Sequence, residues 1–393
     1  MSVISIPEEL LQLRESVTSF LEREVRPVED KYAHELARTG TIDRDAQLRE
    51  RRALRRKSAE VGFYAMHMPE EVGGMGVGTL GVALVREAVT ASGMLLAERG
   101  GVVPDVEGPT SVLLNLDDEQ RRRYLEPLMA AEKETCFALS EPGAGSDATQ
   151  ITTRAVRDGD DYVINGRKHF ITHGQYADFV QLFAVTSDAD GNDLGISFFL
   201  VDADTPGLTV TSTQETMGED HPAELLFEDV RVPASQLVGE PGQGFRYAMG
   251  WINGGRINIA AQALGKTQYL FDRMREYAQQ REAFGRPIGN YQFVQQHVVD
   301  SFLELRMTRN LVYEAADAVS RDDNARQMAA AAKITATETV GRVADRAIQV
   351  FGGNGVMTEM GLERLYRDVR AMRLYEGTSE ILRGTVAKSL GLS

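Results

Sequence analysis

The spacing of apolar residues changes twice along this chain, and no other feature of the sequence constrains the fold as strongly. From residue 7 to about residue 128, apolar residues recur mostly at helical spacing. From 136 to about 239 they form short alternating or β-branched runs that turn residues separate. From 244 onward helical spacing returns in long alanine-rich segments. The chain is therefore expected to be helical, then β, then helical.

This order predicts an α+β fold of three domains. The expected domains are an N-terminal α-helical domain (1–130), a middle antiparallel β-domain (131–240) and a C-terminal α-helical domain (241–393). The middle domain is predicted to be a barrel or sandwich with strands near 161–166, 179–185, 196–202, 208–213 and 224–232, and a further strand over 169–172. The C-terminal domain is predicted to be a four-helix bundle with helices near 244–284, 289–319, 324–351 and 379–390.

Composition and charge exclude several classes of protein. The net charge of −15 argues against a general nucleic-acid binder, whose affinity depends on basic side chains. The single cysteine excludes an intrachain disulfide, and the six histidines show no metal-ligand spacing, so no metal is expected. The N-terminus does not resemble a signal peptide and no apolar stretch is long enough to span a bilayer. We therefore predict a cytoplasmic protein with no membrane association.

The loop "EPGAGSD" (141–147) offers one candidate ligand-binding segment. Gly143 and Gly145 would let the main chain approach a flat or phosphorylated ligand, and Ser140 and Ser146 offer hydroxyls nearby. The loop lacks the G-x-G-x-x-G spacing of a nicotinamide-dinucleotide site. On its own the segment is equally consistent with a simple turn.

Other motifs also have two interpretations each. In "KHFIT" (168–172), Phe170 and Thr172 occupy alternate strand positions, although core packing would explain the phenylalanine about as well. His173, which follows, needs no role beyond that of a turn residue. Arg281 in "REAFGRPI" lies near a helix end, where it could simply compensate the helix dipole. The glycines of "QVFGGNG" (349–355) could simply cap a helix.

Taken together and in this order, "EPGAGSD", "FIT", "REAFGRPI", "QVFGGNG" and "LYEGTSEI" resemble the acyl-CoA dehydrogenase family. The resemblance covers essentially the whole chain. The segment "WINGGRINIAAQALG" (251–265) is most similar to short-chain and medium-chain members.

The resemblance implies a non-covalently bound FAD between the β-domain and the C-terminal bundle, with part of each FAD site contributed by a neighbouring subunit. It implies an acyl-CoA substrate, a homotetramer (or homodimer) and an electron-transfer flavoprotein as acceptor. Glu376, the acid of "YEGT", matches the catalytic base that removes the α-proton of the thioester, while the β-hydride passes to flavin N5 and a trans-2-enoyl-CoA forms. The main-chain N–H of Glu376 and an FAD ribityl hydroxyl are the implied donors to the thioester oxygen.

The remaining site residues are assigned by the same resemblance. The implied cofactor contacts are Phe137, Leu139, Ser140, Gly145, Ser146, Phe170, Ile171, Thr172, Arg281, Phe284, Gln292, Gln349, Val350, Phe351, Gly352, Gly353, Thr378, Ser379 and Glu380. The implied substrate contacts are Ser146, Asn253, Gly254, Gly255, Arg256 and Gly377. Some relatives carry the base immediately before the arginine matched by Arg256; here that residue is glycine, which leaves Glu376 as the candidate.

Departures from the family pattern keep alternatives open. The family commonly has asparagine where this chain has His173 and often tryptophan where it has Phe170, and the segment 96–110 matches poorly. The motifs do not distinguish acyl chain length, branching or polar substituents. An acyl-CoA oxidase or a carrier-protein-thioester dehydrogenase would have the same fold. A non-catalytic acyl-thioester or flavin-binding protein is the alternative from another class.

Overall fold

A computed structural model describes residues 5–392 of the chain. The helices are α1 (Glu8–Phe20), α2 (Arg26–Glu29), α3 (Ala33–Thr39), α4 (Arg44–Glu60), α5 (Thr79–Ala91), α6 (Asp118–Gln120), α7 (Glu126–Met129), α8 (Gly244–Gln280), α9 (Gln292–Ser320), α10 (Ala325–Phe351), α11 (Leu362–Ala371) and α12 (Ser379–Ser389). The strands are β1 (Thr135–Ala138), β2 (Arg154–Asp158), β3 (Asp161–Ile171), β4 (Phe179–Ser187), β5 (Asp193–Asp202), β6 (Leu208–Thr213), β7 (Ala223–Pro233), β8 (Glu282–Ala283) and β9 (Arg286–Pro287). The predicted order of helical, β and helical regions is confirmed.

The chain divides into two compact units. Among the described residues, a helical unit comprises 5–54, Gly76–Val103 and 253–392. A β unit comprises Arg55–Met75 and Pro104–Ile252, which contain the seven strands β1 to β7.

Alanines make up a large part of the core of the helical unit, together with larger apolar side chains. Alanines on α8 and α10, such as Ala260 and Ala336, are fully buried. On the facing surfaces of α9 and α10, Thr308 donates a hydrogen bond of 3.1 Å to Thr339. Small side chains let helix axes approach closely, which explains the alanine-rich sequence of this region. The four predicted helices are present, and α11, which was not predicted, adds a shorter fifth helix.

A seven-stranded sheet forms the β unit, in the order β1-β4-β2-β3-β7-β6, with β5 paired to β4. The predicted antiparallel arrangement is correct for β2–β3, β3–β7, β4–β5 and β6–β7, but β4 runs parallel to both β1 and β2. β2 and β3 are antiparallel, and β4 runs opposite to β3 and therefore in the same direction as β2. Because β4 pairs with β2 and not with β3, this pairing is parallel. The two runs predicted near 161–166 and 169–172 belong to the single strand β3, which contains two register shifts.

Two observations limit the classes of site. Over residues 5–392, no helix is both long and apolar enough to cross a bilayer. In the same described part of the chain, no group of three or more histidine, cysteine or acidic side chains is arranged to hold a metal ion.

Candidate functional site

Glu376 lies on an unusual turn immediately before α12. Its φ is +51° and that of Gly377 is +95°, so two successive residues adopt left-handed backbone conformations. The next residue, Thr378, caps α12 by accepting a hydrogen bond of 3.3 Å from the N–H of Ile381. A left-handed conformation costs a non-glycine residue roughly 1–2 kcal/mol, so contacts around the turn must stabilise it at Glu376.

Gly255, on α8, faces the carboxylate of Glu376. A Cβ atom added to Gly255 would lie 2.5 Å from Oε2 of Glu376, closer than a carbon and an oxygen can approach without bonding. Only glycine at 255 therefore allows the carboxylate to occupy this position. The structure thus brings together the predicted base and one predicted substrate contact.

Arg256, the next residue on α8, contacts the main chain of the same turn. Its Nε donates a hydrogen bond of 3.3 Å to the carbonyl oxygen of Glu376, and its Nη1 lies 3.5 Å from Oδ1 of Asn253. Burial lowers the pKa of Arg256, whereas the negative charge of Glu376 opposes that shift. The predicted substrate contact Arg256 therefore also supports the turn that carries the predicted base.

Lys333, on α10, was not predicted as a site residue. Its side chain is fully buried, and Nζ donates to the carbonyl oxygens of Tyr375 at 2.6 Å and Gly377 at 2.8 Å. Burial lowers the pKa of Lys333 to about 8; the charge of Glu376 opposes this shift and that of Arg256 reinforces it. The available sequence signal was a lone cation in the alanine-rich segment "AAAAKITAT" (329–337).

The connection between α8 and α9 presents three predicted cofactor contacts on the surface of the helical unit. Two internal hydrogen bonds close this connection. The N–H of Ile288 donates to the carbonyl oxygen of Arg281 (2.8 Å), and the hydroxyl of Tyr291 donates to the carbonyl oxygen of Ala283 (2.9 Å). Arg281 and Gln292 are exposed, and the ring of Phe284 is 96% exposed at a φ of +52°. A cation, an amide and an apolar ring are thus available to a ligand.

The end of α10 carries a second group of predicted cofactor contacts, and only some of these residues are exposed to a ligand. Val350 and Phe351 are buried, and the ring of Phe351 stacks on Tyr277 at a centroid distance of 3.9 Å. Gly352 and Gly353 are exposed, and a Cβ added to either would have no atom within 4 Å. This segment can therefore offer a ligand its main chain and the exposed side chain of Gln349, but not the two apolar side chains.

The predicted contacts at the start of α12 are also partly engaged within the protein. Ser379 is buried and donates a hydrogen bond of 3.0 Å to Oε1 of Glu338, while the hydroxyl of Thr378 caps the helix. Glu380 is exposed. Of these three side chains, the structure leaves Glu380 oriented to solvent.

In the β unit, an ion pair anchors the loop that follows β1. Nζ of Lys168 donates to the carbonyl oxygen of Leu139 (3.0 Å) and to Oε1 of Glu141 (2.8 Å), and both charged side chains are buried. Beyond this anchor, Gly145 and Ser146 are exposed, and a Cβ added at Gly145 would contact nothing within 4 Å. The loop is thus fixed at its base and open at its tip.

The end of β3 presents an apolar ring and a hydroxyl on the surface of the β unit. Phe170 is 61% exposed at a φ of +57°, Ile171 is buried and Thr172 is exposed, so Phe170 and Thr172 alternate with a core residue as predicted. Phe137, on β1, packs against Phe183 with ring centroids 4.7 Å apart. A planar flavin requires apolar rings and hydrogen-bonding groups such as the hydroxyl of Thr172, and its phosphates require accessible main chain such as that of the glycines. Within the β unit, these residues therefore fit FAD.

His173 contacts a cluster of buried charged side chains in the β unit. Its Nε2 lies 2.9 Å from Oε2 of Glu134, whose Oε1 accepts a hydrogen bond of 2.5 Å from Arg55. Arg55 also lies 3.7 Å from Glu107. These contacts give His173, at a φ of +68°, a structural role in the turn after β3.

Comparison with known proteins gives a consistent result along the chain. Family models match over 7–132 (acyl-CoA dehydrogenase, N-terminal domain), 136–230 (middle domain) and 242–391 (C-terminal domain). The mouse mitochondrial short-chain specific acyl-CoA dehydrogenase is 36% identical over 394 residues, covering 98% of this chain and 91% of the relative. The crystal structure of an acyl-CoA dehydrogenase from Geobacillus kaustophilus superposes with a TM-score of 0.85 at 30% identity, covering 99% of this chain and 100% of the other. Butyryl-CoA dehydrogenase from Megasphaera elsdenii gives 0.82 at 30% identity, with the same coverage.

Proposed function

Since this chain belongs to the acyl-CoA dehydrogenase family, we propose that it dehydrogenates an acyl-CoA thioester between Cα and Cβ to give the trans-2-enoyl-CoA. The chain is an oxidoreductase of a family that binds FAD. The observation that carries the proposal is the carboxylate of Glu376, which a strained turn holds at Gly255, in the space that a Cβ of residue 255 would otherwise approach.

The residue types suit this chemistry. An α-hydrogen of a thioester is a very weak acid, so its removal requires a carboxylate in contact with it and donors to the oxygen that gains charge. In our proposal Glu376 takes the α-proton, and its own main-chain N–H donates to the thioester oxygen. Gly377, with no side chain, allows the acyl group to approach that main chain. Bound FAD would supply the acceptor for the hydride from Cβ.

Residues in each unit would hold the cofactor. In the β unit we propose the loop from Phe137 to Ser146 and the surface residues Phe170 and Thr172. In the helical unit we propose Arg281, Phe284 and Gln292, the main chain of Gly352 and Gly353 with Gln349, and the N-terminus of α12. Asn253, Gly254 and Arg256 are the proposed substrate contacts on α8. The cofactor assignment is supported by the exposure of Ser146, Phe170, Thr172, Arg281, Phe284, Gln292 and Gln349. The substrate assignment is supported by the contacts of Arg256 with the carbonyl oxygen of Glu376 and with Asn253.

We also propose that the chain forms a homotetramer or homodimer, because α9 exposes an apolar surface. Val299, Leu303 and Met307 are spaced four residues apart and so lie on one face of the helix, and they are 52%, 51% and 62% exposed. Contiguous exposed apolar surface of this kind marks protein interfaces. We expect sedimentation velocity to give a multiple of the 43.3 kDa chain mass and Leu303→Glu to lower it. A Leu303→Glu protein that is folded and keeps the wild-type mass would exclude α9 as the interface.

The function is tested by the visible spectrum of the purified protein, recorded anaerobically as acyl-CoAs of differing length, branching and polarity are added in turn. We expect at least one to bleach the band of the oxidised flavin, which would also identify the substrate class and exclude a non-catalytic binder. If none does while dithionite reduces the flavin normally, the acyl-CoA proposal fails, and a carrier-protein thioester becomes the next donor to test. We propose an electron-transfer flavoprotein as acceptor, so the reduced flavin should reoxidise slowly in air; rapid reoxidation would instead indicate an oxidase.

A further inference from the structure

Three consecutive carbonyl groups around Glu376 each accept a hydrogen bond from a buried or half-buried cation. Lys333 bonds the carbonyls of Tyr375 and Gly377, and Arg256 bonds the carbonyl of Glu376 between them. The two cations come from different helices, α10 and α8. The turn at Glu376 is therefore held from two directions.

The contact between Lys333 and Tyr375 fixes the direction of a group that the reaction needs. The peptide bond between Tyr375 and Glu376 is trans. In a planar trans peptide the carbonyl oxygen and the following N–H point in opposite directions. Because the oxygen of Tyr375 is directed toward the ammonium of Lys333, the N–H of Glu376 is directed away from it. The same reasoning applies to Gly377 and the N–H of Thr378.

The turn needs such support because its conformation is costly. Glu376 has a φ of +51°, and a left-handed non-glycine residue relaxes to negative φ unless its surroundings prevent it. Relaxation would rotate both peptide planes next to Glu376 and move its carboxylate together with its N–H. Lys333 bonds the carbonyl of the plane that precedes Glu376, so it opposes rotation of that plane, and its bond to Gly377 fixes the next peptide but one. The plane that follows Glu376 is held by Arg256.

We propose that Lys333 is a positioning residue that holds the main-chain N–H and the carboxylate of Glu376 in the arrangement required for α-proton removal. The inference rests on the proposed function of Glu376 and extends it to a residue on another helix. It assigns Lys333 no contact with substrate or FAD. The lysine acts through two carbonyl groups of the main chain, which explains why a cation with several donors is buried among alanines.

The test uses Lys333→Met in the holoenzyme, because methionine has a similar length and volume but no donors. The rate of flavin reduction is measured by stopped flow with butyryl-CoA as substrate. The rate of α-proton removal alone is measured with 3-thiabutyryl-CoA, because its β-position is sulfur and cannot lose hydride. Mass spectrometry follows the uptake of deuterium from D2O at its α-carbon. We expect Lys333→Met to keep its FAD, to change the apparent KM less than threefold and to lower both rates about 10²-fold, as loss of an oxyanion donor does.

Two further variants make the result specific. Lys333→Gln retains a neutral NH2 donor group in place of the ammonium and should give rates between those of the wild type and Lys333→Met. Lys388→Met removes an exposed lysine of α12 and should change neither rate. A residue that merely stabilised the fold would instead affect FAD content, the melting temperature or KM, with the rates of the FAD-loaded protein unchanged.

The outcomes separate the two proposals. If the wild type neither bleaches with any acyl-CoA nor exchanges the α-hydrogen, the proposed function fails first. If the wild type exchanges it and FAD-loaded Lys333→Met does so within threefold of the wild-type rate, the inference about Lys333 is wrong. Loss of folded protein in both Lys333 variants would likewise contradict the inference, because it would assign Lys333 to the stability of the fold.

Discussion

Glu376→Gln should retain FAD and lose at least about 10²-fold in the rate of flavin reduction, the usual effect of removing a general base. Glutamine has the shape of glutamate and fits opposite Gly255, where an additional atom would not. Its carboxamide cannot accept the α-proton. The main-chain N–H is unchanged, so thioester binding should be preserved and the loss should appear in kcat more than in KM.

The structure leaves no substitute for this carboxylate at the position where some relatives have one, because residue 255 is glycine. The residual rate of Glu376→Gln should therefore be low with every acyl-CoA of the panel. The measurement is stopped-flow reduction under anaerobic conditions, with 3-thiabutyryl-CoA exchange as the independent assay of proton removal. Glu359→Gln, which changes an exposed glutamate elsewhere in the helical unit, is the matched control and should behave as the wild type. A Glu376→Gln rate above about a tenth of the wild-type rate would exclude Glu376 as the base.

The parts of the site that the sequence predicted depend on local rules. An acid before glycine and two hydroxyl residues predicted a turn followed by a helix, and the structure places Thr378 as the N-cap of α12. "FIT" predicted that Phe170 and Thr172 occupy alternate positions of a strand, and both are exposed on either side of buried Ile171. The strand is less regular than predicted, because β3 ends at Ile171 and has a register shift around Phe170, whose φ is +57°. Spacing of this kind is set by strand and helix geometry, so it can be recognised without tertiary information.

The parts that were missed depend on contacts between distant segments. The interaction of Lys333 with Tyr375 joins residues 42 positions apart, and nothing near Lys333 in sequence indicates that partner. The parallel pairing of β2 with β4 is likewise a choice of partner that strand propensity does not determine. Val350 and Phe351 remain predicted cofactor positions, but the burial of their side chains depends on tertiary packing such as the stacking of Phe351 on Tyr277. The positive φ of His173 is also accompanied by a tertiary contact, the one between its ring and Glu134, which the local sequence does not indicate.

Lys168→Met should lower the free energy of unfolding by about 3–5 kcal/mol, the cost of breaking a buried ion pair by removing one partner. Lys168 is fully buried and Glu141 is 6% exposed. Glu141 accepts further hydrogen bonds from the N–H groups of Thr152 (2.7 Å) and Thr153 (3.0 Å), so it would remain in place without its cation. The loop from Leu139 to Ser146 would lose its anchor, and we expect FAD content to fall as well.

A double-mutant cycle separates the charge from the packing of the two side chains. In Glu141→Gln there is no buried anion, so adding Lys168→Met should cost less than it does in the wild type, with a coupling energy of roughly 1–3 kcal/mol. Arg122→Met removes an exposed cation of the β unit and serves as the control. Urea unfolding followed by circular dichroism measures each variant. Equal costs of Lys168→Met in both backgrounds would show that the ion pair makes no specific contribution.

The same pair makes stability rise with pH at both ends of the range, because each side chain has a lower pKa in the folded protein than in the unfolded chain. Burial by itself would raise the pKa of Glu141, but the charge and hydrogen bond of Lys168, with the donors of Thr152 and Thr153, lower it to about 2 from 4.5. On acidification the unfolded chain therefore binds the proton of Glu141 before the folded protein does. The stabilisation that ionised Glu141 contributes is complete above about pH 5 and is lost as the pH falls toward 2. Burial lowers the pKa of Lys168 from 10.5 to about 8 despite the opposing charge of Glu141, so the folded state releases that proton first and stability rises as the pH increases from 8 to 10.5. Glu141→Gln should flatten the acidic limb of the unfolding profile, by up to about 1.4 kcal/mol per pH unit. An acidic limb of unchanged slope in Glu141→Gln would show that other carboxylates account for it.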